Sequence, residues 1–186
     1  RMLLTEFDDN RQAIINPEDL HEPLEVFPKI AVSCFSRSTF QRMLEMFPHE
    51  LIYETSMANV AIPIYKLVID EKELALFNAP VGASACVAIL EDIFALGAEK
   101  LVLFGTCGVL DEDIKETSII IPSHALRDEG TSFHYVEASD EIAVNVGVLD
   151  RFRSYLNDRQ ISHKEGKVWT TDGIYRETSA KLKARK

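Results

Sequence analysis

Lys100-Leu-Val-Leu-Phe-Gly-Thr-Cys-Gly108 sets the fold class of this 186-residue chain. Its first five residues are a short continuous apolar run, the pattern of a strand buried on both faces. Gly105 and Gly108 then bracket a turn, where a missing side chain permits a tight bend or a close approach of the backbone to a ligand. Just upstream, Ser84 to Leu96 is apolar on most faces and is followed by Gly97, as expected of a buried helix with a glycine stop.

The same alternation extends outward in both directions. Lys29-Ile-Ala-Val-Ser-Cys34 reads as another buried strand. Phe40, Met43, Leu44 and Phe47 fall at helical spacing, with Ser38 or Thr39 as N-cap and Pro48 as the stop. Val60 to Ile69 and Glu73 to Asn78 predict two strands joined by Asp70-Glu71-Lys72. Ser118-Ile-Ile-Ile-Pro122 predicts a further buried strand. Val148, Leu149, Phe152, Tyr155 and Leu156 mark an amphipathic helix, and Lys167-Val-Trp-Thr-Thr171 a last strand. Residues 1–28 are polar, acidic and proline-bearing, and are expected to form an arm that packs on a body of residues 29–186. Strands alternating with helices predict an α/β fold: a three-layer α/β/α sandwich around a central mixed, largely parallel sheet.

Composition narrows the function. With 20 Lys and Arg against 30 Asp and Glu, the net charge is −10, the wrong sign for a protein that binds nucleic acid by neutralising phosphates. A small anionic ligand needs only a local pocket and is not excluded. The 46% hydrophobic content rules out general disorder, and no apolar run reaches membrane-spanning length. Cys34, Cys86 and Cys107 have no CxxC spacing, so free thiols in a reducing, cytoplasmic compartment are expected. The five histidines lack metal-ligand grouping, and no metal is predicted.

In open α/β sheets ligands bind beyond the carboxyl ends of the strands. Three stretches qualify: Ser33-Cys-Phe-Ser-Arg37, Gly105-Thr-Cys-Gly108 and Thr170-Thr-Asp-Gly173. Exposed amides beside the Thr106 hydroxyl suit an anion, and the Arg37 guanidinium could clamp one bidentately. Taken singly, Gly-x-x-Gly is an ordinary turn and Arg37 an ordinary solvated charge. His124 and His134 read as structural histidines or as ribose contacts, Asp111-Glu112-Asp113 as a solvated turn, and Cys107 as a packed thiol rather than a nucleophile.

Taken together, Phe77-Asn-Ala-Pro-Val-Gly-Ala-Ser84, the apolar helix to Leu96-Gly97-Ala98, and Lys100 to Gly108 resemble the nucleoside phosphorylase family that includes uridine phosphorylase and hexameric purine nucleoside phosphorylase. Arg127-Asp-Glu-Gly-Thr-Ser-Phe-His-Tyr135 and Trp169-Thr-Thr-Asp-Gly-Ile-Tyr-Arg-Glu-Thr178 fit the same family. The resemblance implies cleavage of a nucleoside N-glycosidic bond, with phosphate as co-substrate and no cofactor, to give free base and ribose 1-phosphate. It implies phosphate binding by Arg37, Gly105 and Thr106. Nucleoside binding falls to Cys107, Gly108, Ile174, Tyr175, Arg176 and Glu177; Tyr175 reads equally as a packed aromatic. It also implies a homo-oligomer, dimer or hexamer, in nucleoside salvage.

The departures from the family pattern matter. Ser33-Cys34-Phe35 stands where the first loop usually reads Gly-Asp-Pro, Leu103 where a second phosphate-binding Arg is usual, and Glu116-Thr117 where Gly-Asp is common. The uracil-recognising Gln and Arg are not matched after Tyr175. The family's later Met-Glu ribose motif and leaving-group Asp are not matched either, so the C-terminal portion of the family is expected to be lacking. Two alternatives stay open: a nucleoside hydrolase of the same fold, or a catalytically silent nucleoside-binding protein. Gly105 and Gly108 are both expected to be intolerant of a side chain.

Overall fold

A computed structural model describes residues 2–115 and 118–186; Glu116-Thr117, noted above as a departure, lie outside the described residues. The chain divides into two compact units, Asn10–Thr106, and Arg1–Asp9 with Cys107–Lys186.

In the unit Asn10–Thr106 the order is α1 (Pro17–Leu20), β1 (Ile30–Cys34), α2 (Arg37–Met46), β2 (His49–Met57), β3 (Val60–Ile69), β4 (Lys72–Asn78), α3 (Ala83–Leu96) and β5 (Lys100–Phe104). The strands form one sheet in the order β2-β3-β4-β1-β5, with β1 parallel to both β4 and β5 and the β2-β3-β4 portion antiparallel. Side chains alternate across it as strand geometry requires. Ala31, Ile64, Ala75 and Phe77 lie with Ile89, Ile93 and Leu96 of α3 in one core cluster. Val32, Cys34, Leu67 and Leu76 lie with Phe40, Met43 and Leu44 of α2 in the other. Helix, sheet and helix make the three layers that the alternation predicts. Burying each large aliphatic of α3 contributes roughly 1.5–3 kcal/mol.

Several boundaries move for identifiable reasons. The α2 helix starts ahead of the expected caps, because the Ser36 hydroxyl accepts from Thr39 N at 3.2 Å. Strand β2 was not expected: it is a sheet edge, and it carries exposed His49, Glu50 and Glu54 and a register shift between Leu51 and Tyr53, which obscure the apolar alternation. Strand β5, expected to be buried, is the opposite edge, leaving Leu103 38% and Phe104 40% exposed. Ahead of β1, Leu24 N donates to Leu96 O at 3.0 Å and Phe27 is buried in the α3 cluster. His21 Nε2 lies 3.0 Å from Asp92 Oδ1, and Thr55 Oγ1 donates to Asp92 Oδ2 at 2.8 Å. Residues 21–27 therefore pack on α3 and β2.

The unit containing Cys107–Lys186 has β6 (Ile119–Asp128), β7 (Glu141–Ala143), α4 (Val146–Asp158), β8 (His163–Thr171) and α5 (Ser179–Arg185). Its sheet runs β7-β6-β8, with β6 parallel to β8 and antiparallel to β7. The strand expected at Ser118–Pro122 continues through Pro122. Proline cannot donate to the ladder, and the register shifts between Pro122 and His124. The Asn145 side chain accepts from Val148 N at 3.2 Å, starting α4 ahead of its first apolar residues. No helix among the described residues is long and apolar enough to cross a membrane.

Asp70 and Glu71 join β3 to β4 with φ of 49° and 64°, both left-handed. This is the two-residue hairpin geometry that favours glycine at its second position. Glu71→Gly is expected to stabilise the protein by about 1 kcal/mol, the order of the left-handed strain on an L-residue. A raised urea midpoint with unchanged m-value is the expected readout.

Candidate functional site

Parallel pairing sets the geometry of the first candidate edge. Cys34 pairs with Asn78 across β1 and β4, and with Phe104 across β1 and β5, so three strands end level. The loops Phe35–Ser36, Ala79–Gly82 and Gly105–Thr106 leave the sheet there together. Arg37 opens α2 directly after its Ser36 cap and is exposed. Among the described residues its guanidinium makes no ion pair. A bare cation at the positive end of a helix dipole is unfavourable, and an anion beside both would be held by both. Thr106 is exposed on the neighbouring loop.

The strands behind these loops are tied by side chains. Ser33 is fully buried; its hydroxyl donates to Phe77 O at 2.9 Å and accepts from Ala79 N at 3.1 Å. Asn78 Nδ2 donates to Cys34 O at 2.6 Å. Burial raises the Cys34 thiol above its ordinary pKa, with a backbone hydrogen bond at Ser36 opposing the shift. Leu103 pairs with Ser33 across β1 and β5 and offers no donor. Neither Gly105 nor Gly108 has a left-handed φ. A Cβ on Gly105 would come within 2.9 Å of Phe35 Cδ2, whereas one on Gly108 would meet nothing within 4 Å. The expected steric demand therefore falls on Gly105 alone.

The second edge lies in the other unit, where parallel β6 and β8 end together at Asp128 and Thr171. Asp172 N donates to Asp128 O at 3.1 Å, and the Asp172 carboxylate accepts from Gly130 N at 2.9 Å. Arg127 is buried and spent on its own loop. It donates to Ser132 Oγ, Glu137 O and Ser139 Oγ, each at 2.8 Å, and stands 4.2 Å from the Phe133 ring centroid. Glu129 accepts from both the amide and the hydroxyl of Ser132. Partial burial opposes ionisation of Asp128. Hydrogen bonds from Lys181 Nζ at 3.2 Å and Trp169 Nε1 at 3.1 Å outweigh it and hold the carboxyl below its usual pKa.

The predicted site residues are thus distributed between the units. Arg37, Gly105 and Thr106 share the first edge. Ile174, Tyr175 and Arg176 form a 3-10 turn just beyond the second edge, followed by Glu177. Tyr175 is 95% exposed, so the packed-aromatic alternative does not describe it. Cys107 and Gly108 are exposed at the start of the second unit, and Cys107 is a free thiol rather than a packed one. His124 Nδ1 lies 3.2 Å from Ser123 Oγ, while His134 is exposed. Asp113 N donates to Asp111 Oδ1 at 2.9 Å in a surface turn, and the described residues contain no metal-ligand cluster. Sequence reasoning missed Asp128 and Asp172 as organisers. The Asp-Glu-Gly and Asp-Gly turns directly after β6 and β8 were the available signal.

Comparison with known proteins bears out the expected resemblance and the α/β fold. The family model of the Phosphorylase superfamily matches residues 29–186. A uridine phosphorylase of Treponema pallidum is 25% identical over 111 residues, 60% of this chain and 43% of that protein. A guanosine phosphorylase of Halorubrum lacusprofundi is 23% identical over 117 residues, 61% of this chain and 48% of that protein. The chain is therefore matched to less than half the length of these relatives. Among solved structures, uridine phosphorylase from Vibrio fischeri superposes with a TM-score of 0.74 at 18% identity, covering 94% of this chain and 72% of that one. The 5′-methylthioadenosine/S-adenosylhomocysteine nucleosidase of Helicobacter pylori superposes with a TM-score of 0.66 at 18% identity, covering 86% and 71%.

Two measurements check this geometry. Gly108→Ala should be neutral within about 0.5 kcal/mol. Gly105→Ala should cost about 1 kcal/mol, the order of an off-rotamer shift, because the surface ring of Phe35 can swing aside. Urea denaturation of both variants reads the difference. The Asp128 pairing has a pH signature. A folded-state pKa below the unfolded value gives stability that is present above about pH 4 and lost as pH falls through the folded value. Lys181→Met should therefore destabilise at pH 7, and its denaturation midpoint should converge on wild type as the pH falls below the lowered folded-state value of Asp128.

Proposed function

The chain belongs to the Phosphorylase superfamily, and from that premise we propose that it carries part or all of an enzyme that cleaves nucleosides with phosphate. In the proposed reaction a phosphate oxygen attacks C1′ of the ribose and the C1′–N bond breaks. The bonding pair leaves with the base, which takes up a proton, and ribose 1-phosphate is released. Positive charge builds on the sugar as the bond stretches, so a bound phosphate dianion both stabilises the transition state and supplies the nucleophile.

The observation that carries this reading is the Arg37 guanidinium at the start of α2, without an ion pair among the described residues, on the same strand-end edge as Gly105 and Thr106. Arg37 and the Thr106 hydroxyl would hold the phosphate. Cys107, Gly108 and Ile174 to Glu177 would contact the nucleoside, with Ile174 and Tyr175 offering apolar surface to a base. Hydrolysis is the second reading, and Leu103 favours it: an apolar side chain beside Ser33 cannot assist phosphate. The proposed enzyme needs no cofactor and works as a homo-oligomer in nucleoside salvage. Symmetric assemblies are the commonest kind, and a monomer mass by light scattering at micromolar concentration would contradict that part.

Incubating a nucleoside panel with and without phosphate separates the readings. Ribose 1-phosphate formed only with phosphate supports phosphorolysis, free ribose in either condition supports hydrolysis, and no product supports a silent binder. Arg37→Ala should weaken phosphate binding roughly ten- to a hundredfold, the worth of one charge-assisted hydrogen bond, while nucleoside binding stays near wild type. Calorimetric titration of each ligand reads both.

A further inference from the structure

Among the described residues, Ser33 is the one fully buried polar side chain at the first edge. Its hydroxyl spans two strands, giving its proton to Phe77 O on β4 and accepting the Ala79 amide just beyond β4. The Cys34 carbonyl next to it takes two donors, Asn78 Nδ2 at 2.6 Å and Ala79 N at 3.0 Å. These contacts pin the exit of β1 to the exit of β4. Only Phe35 separates Cys34 from the Ser36 cap, so a slip at the end of β1 passes almost directly to Arg37.

We infer that Ser33 is a positioning residue for the anion: its hydroxyl holds the β1 exit in register with the β4 exit, and so fixes where α2 presents Arg37. Backbone–backbone pairing alone would leave the last residues of β1 tied to the start of the β4–α3 loop by the Ala79–Cys34 bond. Deleting the hydroxyl also leaves the Phe77 carbonyl without the donor it has at 2.9 Å. This chain thus replaces the glycine usual at the head of the first loop with a side chain that braces the loop from behind. Small displacements of a binding group are costly, because binding depends on its prepaid orientation.

The inference rests on the phosphate reading above, and its test keeps the two apart. Inorganic phosphate is titrated calorimetrically into wild type, Ser33→Ala and Ile93→Val, on the full chain. Ile93→Val removes one methylene from α3, well along the helix from its start at the edge, and lowers stability without touching the edge. Loss of one net hydrogen bond should weaken phosphate binding roughly three- to tenfold in Ser33→Ala. Ile93→Val should bind as wild type does. Where Ser33→Ala does not fold, Ser33→Cys, similar in volume but a weak hydrogen-bonding partner, should show the same direction of change. Normal affinity in a folded Ser33 variant, or an equal loss in Ile93→Val, would overturn the positioning role alone. No phosphate binding by folded wild type would overturn the phosphate reading and this inference with it.

Discussion

The candidate chemistry in Asn10–Thr106 depends on β1 lying between β4 and β5 and running parallel to both. That arrangement requires side chains on both faces of β1 to be apolar or satisfied. Ala31 packs under α3, Cys34 under α2, and Ser33 finds partners within the sheet. Parallel pairing then makes three strands end on one side. Loops that are far apart in sequence leave from the same edge, which is why open α/β sheets place ligands there. A strand of the opposite sense would carry Arg37 to the far side of the sheet from Thr106.

The two parallel edges follow the same geometry and differ in chemistry. At the β6–β8 edge the polar groups largely satisfy one another: Arg127 with Ser132 and Ser139, Glu129 with Ser132, Asp128 with Trp169 and Lys181, Asp172 with Gly130. Such a network is rigid and leaves the exposed apolar side chains of Ile174 and Tyr175 as its free surface. At the β4-β1-β5 edge the backbone is braced from behind, while Arg37 has no ionic partner among the described residues. The proposed phosphate contacts fall on the one edge, and the proposed base contacts lie just beyond the other.

Elements with a strong hydrophobic signal were legible in the sequence. The β1 and α3 runs are apolar because both are enclosed, and the Gly97 stop matches its left-handed φ of 127°. Edge strands were not legible in the same way. Strand β2 carries exposed charge, and β5 is apolar without being buried, so composition alone misstates its burial. Among site residues, Arg37 and Thr106 were visible from their places after strands. Ser33 appeared only as a departure from a family loop, because nothing in Ser33-Cys34-Phe35 says that the hydroxyl turns inward. The contrast between Gly105 and Gly108 was equally hidden, since it depends on where the Phe35 ring lies.

A crystal structure of the chain grown with phosphate tests the Arg37 edge as an anion site most directly. A tetrahedral anion is expected within hydrogen-bonding distance of the Arg37 guanidinium and the Thr106 hydroxyl, at the level carboxyl ends of β1 and β5. Phosphate bound elsewhere, or an empty edge at saturating phosphate, would contradict it.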